Sequence, residues 1–129
     1  MKKIILICGC GLILFSGCTP PEYDAHKMHK RQKTLMELQE KAVLDDSLSD
    51  EEIDKIVQAH KENIMFTKSV LNKYKSDSVQ MRVYKIALYD MNQKIKAKQD
   101  SVYHQVRISK RYDELRKRLF ELYFGKHEK

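Results

Sequence analysis

From Glu22 to Phe124 the chain contains neither glycine nor proline, and its apolar residues return at helical spacing. Met28, Leu35 and Ala42 stand seven apart with Leu38 between them, a narrow stripe that predicts a first helix from about Glu22 to Leu44. Its opening turns, Ala25 to Lys33, read as too polar for a core. A break follows at Asp45–Asp46–Ser47–Leu48. Ser49 with Glu52 three residues on forms a capping box, and Leu48 and Ile53 hold the two positions of a hydrophobic staple around it. Asp50, Glu51 and Glu52 place negative charge at the positive end of the next helix.

That second helix is expected from about Asp50 to Tyr74. Its apolar face is Ile53, Val57, His60, Ile64, Leu71 and Tyr74, with Ile56 and Val70 alongside. Thr67 and Lys68 interrupt this face for one turn. Ser76–Asp77–Ser78 is the next break, with a cap in the serine–aspartate cluster. The pattern resumes through Val79, Tyr84, Leu88, Met91, Ile95 and Val102. It then shifts phase to Ile108, Tyr112, Leu115, Leu119 and Leu122, and Gly125 stands at a C-cap position. With no strong breaker between 78 and 124, this stretch reads as one long helix. Lys96–Val102 echoes Lys73–Val79, but the echo is too short to make a repeat. No segment sustains the alternation of a strand. The fold class is all-α, an antiparallel helical hairpin or three-helix bundle with a long C-terminal helix.

The first eighteen residues follow a different rule. Met1–Lys2–Lys3 is basic, Ile4 to Phe15 is apolar, and Ser16–Gly17 precedes Cys18, with Thr19–Pro20–Pro21 after it. Twelve apolar residues are too few to span a membrane, which takes roughly 20, but they suit a secretory signal peptide. With a cysteine directly after small residues, the segment resembles a bacterial lipoprotein signal, although Phe15 stands where that family prefers leucine. The resemblance implies cleavage before Cys18, a lipid on its thiol and an acylated new N-terminus. It gives an expected organisation of signal peptide 1–17, lipidated cysteine and proline linker 18–21, and one helical domain 22–129. The expected location is the cell envelope, lipid-anchored to the inner or outer membrane with the body in the periplasm. The Asp–Ser–Val phrasing and lysine-rich signal are also similar to small helical lipoproteins of Bacteroidota, a likeness that implies no activity.

Charge sharpens the expected partners. The formal net charge is +7, and residues 76–129 hold 13 basic and 7 acidic side chains against 10 and 11 in residues 22–75. An exported, anchored chain seldom meets nucleic acid, so none is expected as a partner. Lys27, Lys30, Arg31 and Lys33 lie close to Cys18 and are candidates for contact with an anionic membrane surface. The end of the chain is basic, amphipathic and aromatic. Tyr112, Arg116, Arg118, Phe120, Tyr123 and Phe124 are candidate contacts to a protein partner or a second copy.

Catalytic chemistry finds little to work with. Cys8 and Cys10 lie within the signal segment, so Cys18 is the one cysteine expected in the mature chain, and its sulfur would carry lipid. His26 and His29 are spaced to share a helix face, but no further ligands are patterned around them and cations surround them. Neither a nucleophile elbow nor a glycine-rich phosphate loop is present. No metal, no cofactor and no catalytic residue is therefore expected. The sequence reads as a lipid-anchored, non-catalytic binding or accessory subunit. Two alternatives are a spacer joined to the cell wall, since Lys129 resembles the terminal lysine of the murein lipoprotein, and a periplasmic holdase.

Overall fold

The computed structural model describes residues 20–45 and 47–125; the expected signal segment, Cys18, and the tail from Lys126 to Lys129 lie outside them. The described chain is all-α, with five helices: α1 (Pro21–Ala42), α2 (Asp50–Lys73), α3 (Ser78–Gln93), α4 (Lys96–Ile108) and α5 (Tyr112–Phe124), plus a short 3-10 turn at Val43–Asp45. Pro21 opens α1 at the one helical position where a missing N–H costs nothing. At α2 the capping box is complete. The Glu52 amide donates to Ser49 Oγ at 3.1 Å, and the Ser49 amide donates to Glu52 Oε1 at 2.8 Å. Leu48 and Ile53, the staple pair, are both fully buried. Asp77 caps α3 by accepting from the Gln80 amide.

The helices form four legs. α1 runs one way and α2 returns beside it, so that Asp24 near the start of α1 meets Lys73 and Tyr74 at the end of α2. α3 and α4 together make the third leg, parallel to α1: His29 and Gln32 meet Asn92, and Glu40 meets Lys98. α5 then runs back alongside α4 and parallel to α2, pairing Arg111 with Asp50, Arg118 with Asp54 and Tyr123 with His60. α1 packs against α2, α3 and α4, and α5 packs chiefly on α2.

The region 78–124 is thus three helices where the sequence predicts one. Between α3 and α4 the Lys94 amide bonds Met91 O and the Ile95 amide bonds Asn92 O, a tightened turn that interrupts the i→i+4 ladder. Between α4 and α5 the chain reverses at Ser109–Arg111. Arg111 is the one non-glycine residue with positive φ among the described residues, at 69°. Its left-handed conformation is strained for a residue that carries a Cβ. Bonds to the Leu48 turn hold it there: Nη1 donates to Leu48 O at 3.1 Å, Nη2 pairs with Asp50 and with the local Glu114, and Lys110 O accepts from the Leu48 amide. The opening of α1 is also a correction. Ala25 and Met28 are buried there, because α2 and α3 both close over that end.

The apolar interior is divided in two. At the α4–α5 reversal, Met36, Ala42, Leu48, Ile53, Ile56, Val102, Val106 and Leu115 form one cluster. At the opposite end, where the chain leaves Pro20, Ala25, Met28, Val70, Tyr74 and Tyr84 form another. Burying each large apolar side chain contributes about 1.5 to 3 kcal/mol, so the first cluster supplies most of the driving force. Between the two, the bundle does not close.

Candidate functional site

That gap is a cleft of about 720 Å³ at the waist of the bundle. Met28, Leu35 and Met36 of α1 and Ile64 of α2 give it apolar walls, and α5 reaches it only with Tyr123. The remaining lining is polar: Gln32 and Gln39 from α1, Asn63, Thr67 and Lys68 from α2, Asn92 from the end of α3, and Gln99, Asp100 and Tyr103 from α4. The α3–α4 interruption borders the cleft, since Asn92 is its last regular turn. Asn92 is committed to protein, donating to Gln32 Oε1 and accepting from His29 Nδ1 at 2.7 Å.

His60 and Tyr123 close one side. His60 Nδ1 and the Tyr123 hydroxyl share a hydrogen bond of 2.8 Å, with the rings edge to face. His60 Nε2 is buried without a hydrogen-bond partner among the described residues. Burial lowers the His60 pKa below its ordinary 6.5, which keeps the ring neutral at pH 7, and burial raises that of Tyr123.

A second polar centre lies at the Pro20 end. Asp24, 6% exposed, accepts from the Tyr74 hydroxyl at 2.6 Å and from Lys73 Nζ at 2.8 Å. Burial, then the bond to Asp24, pushes the Tyr74 hydroxyl well above the usual tyrosine range. This is a fastened helix end: the carboxylate is spent on two donors.

The residues singled out from sequence fall into separate places. Lys27 lies 5.3 Å from the Tyr23 ring centre, and Lys27 and Arg31 both stack over Phe66 of α2, at 5.8 and 4.9 Å. Lys30 and Lys33 are exposed on α1. On α5, Tyr112 packs against the larger core cluster and Arg118 pairs with Asp54 at 2.6 Å, so both fasten α5 to the body. Arg116 is exposed, with Asp113 at 3.9 Å. The Phe120 and Phe124 ring centres lie 5.1 Å apart with the planes tilted by 47°, and the two residues stay 61% and 73% exposed, with Tyr123 beside Phe124. His26 is exposed, and no group of three His, Cys, Asp or Glu is gathered among the described residues. No described helix is long and apolar enough to cross a membrane.

Comparisons with protein-family models, curated proteins and solved structures find no match for this chain. The cleft was not anticipated from sequence, although its signal was present. Gln32 and Gln39, and Asn92 and Gln99, are polar pairs seven residues apart, and Thr67–Lys68 is the turn that interrupts the apolar face of α2.

Proposed function

We propose that the protein is a lipid-anchored envelope protein that works by binding a partner and catalyses no reaction. The lipoprotein-type segment ending at Cys18 supports the anchor. The observation that carries the binding role is the exposed aromatic edge of α5. Phe120 and Phe124 lie against each other with tilted rings while largely open to water, on a helix whose opposite side is already fastened to α2. Adjacent exposed aromatics are costly in water, and clusters of this kind mark interaction surfaces. Arg116 and Lys117 flank them, which suits a protein partner with an apolar groove and an acidic rim.

The anchor and the edge are tested separately. A Cys18→Ser change is expected to release the protein from the membrane fraction and abolish fatty-acid labelling; unchanged fractionation and labelling would refute the anchor. For the edge, crosslinking in intact cells followed by affinity capture and mass spectrometry should recover one defined partner. A Phe120→Ser/Phe124→Ser double variant should lose that partner while melting at the same temperature. Recovery of the same partner at the same yield would remove the edge from the binding surface.

A further inference from the structure

The waist cleft has the chemistry of a ligand site and is distinct from the aromatic edge of α5. Three of its amide side chains, Gln39, Asn63 and Gln99, make no hydrogen bond to any described residue. Gln39 is only 7% exposed. The amide atoms of all three still reach solvent, so their hydrogen-bonding capacity is open to a ligand seated in the cleft. In the same wall, His60 Nε2 is the one buried side-chain nitrogen or oxygen without a hydrogen-bond partner among the described residues. Unspent hydrogen-bonding capacity is concentrated where the bundle stays open.

We propose that this cleft binds a neutral saccharide, of mono- to trisaccharide size. Its volume falls within the range of small-molecule sites, roughly 300 to 1,000 Å³. The lining carries one cation and one anion, Lys68 and Asp100, and a neutral imidazole, so it offers no field for a phosphate or a carboxylate. Side-chain amides both donate and accept, which matches the paired hydroxyls of a sugar ring. The Tyr103 and Tyr123 rings at the rim suit its C–H faces, and the methionine and isoleucine walls complete the apolar contact. An extended peptide fits less well. Every wall is helical, and helix backbone groups are already spent on internal bonds, leaving none to pair with a peptide strand.

The inference is independent of the lipid on Cys18, and calorimetric titration of the full chain in lauryldimethylamine oxide, a detergent without sugar, tests it. The probes are N,N′-diacetylchitobiose, maltose and the neutral dipeptide N-acetyl-Ala-Ala-methylamide. At least one saccharide is expected to bind with a dissociation constant at or below about 1 mM. Gln39→Leu should weaken it by about 2- to 10-fold, the worth of one hydrogen bond, while leaving the melting temperature equal or higher. Tyr103→Ala, at a half-exposed rim position, should weaken it by at least about 3-fold and serves if Gln39→Leu folds poorly. No heat with either saccharide at 10 mM overturns the proposal. So does binding unchanged in both variants, or tighter binding of the dipeptide than of either saccharide.

Discussion

The two sides of the waist are held by different physics. Toward the α4–α5 reversal the interior is apolar, and eight buried apolar residues from α1, α2, α4, α5 and the Leu48 turn pack together. Toward Pro20 the apolar cluster is smaller, and it is pinned by the Asp24–Lys73–Tyr74 centre with Tyr74 and Tyr84 side by side. The first arrangement is non-directional and tolerates small movements. The second depends on hydrogen-bond geometry and on one buried carboxylate. Between them an amide-lined gap is left open, so the bundle joins a stable head to a polar-fastened foot across a waist free to bind.

The comparison is broken most severely at the head. Leu115 is fully buried and is the residue through which α5 enters the core. Leu115→Ala is expected to cost about 3 to 4 kcal/mol by chemical denaturation, the sum of lost transfer energy and a cavity. A loss below about 1 kcal/mol would mean that α5 contributes little to the fold.

At the foot, Asp24→Ala leaves the Tyr74 hydroxyl and Lys73 without their shared acceptor and is expected to cost about 2 to 3 kcal/mol. Asp24→Asn, which can still accept from Tyr74, should cost less. The tyrosines add a pH signature. Folding raises the pKa values of Tyr74 and Tyr84 above 10, so the unfolded chain loses those protons first and stability declines as pH rises past 10. Tyr74→Phe should flatten that alkaline decline in a series of thermal melts. An unchanged slope would show that the Asp24 centre does not couple to folding.

A smaller effect separates local from long-range specification. Ser49→Ala removes one half of the capping box and is expected to cost about 1 kcal/mol. This feature was fully legible in the sequence because its partners lie three residues apart. So were the breaks before α2 and α3, and the helical class of the whole chain. The two interruptions inside 78–124 were not. The reversal at Arg111 is secured by Leu48 O and Asp50, about sixty residues away in sequence, and no glycine or proline announces it. The phase shift between Val102 and Ile108 was its only local trace. The burial of Ala25 is hidden for a related reason: its sequence neighbours are polar, but α2 and α3 both cover it. The cleft was hidden because polar residues on a core-facing side read as interruptions of a stripe, when together they line a gap.

The smallest effect tests whether His60 stays buried and neutral beside the waist. Burial lowers the His60 pKa, so on acidification the unfolded chain takes up the proton first. The stabilisation from keeping this ring neutral is complete above pH 6.5 and fades as pH falls below it toward the depressed folded value. Melting temperature should therefore drop between pH 7 and 5, and His60→Phe should remove part of that drop. The same variant loses the bond to Tyr123 but also removes the unsatisfied Nε2, two opposing changes, so its stability at pH 7 should stay within about 1 kcal/mol of the parent. Identical acid profiles for parent and variant would mean that water already reaches the ring. His60 would then belong to the open cleft, on the solvent side of the comparison.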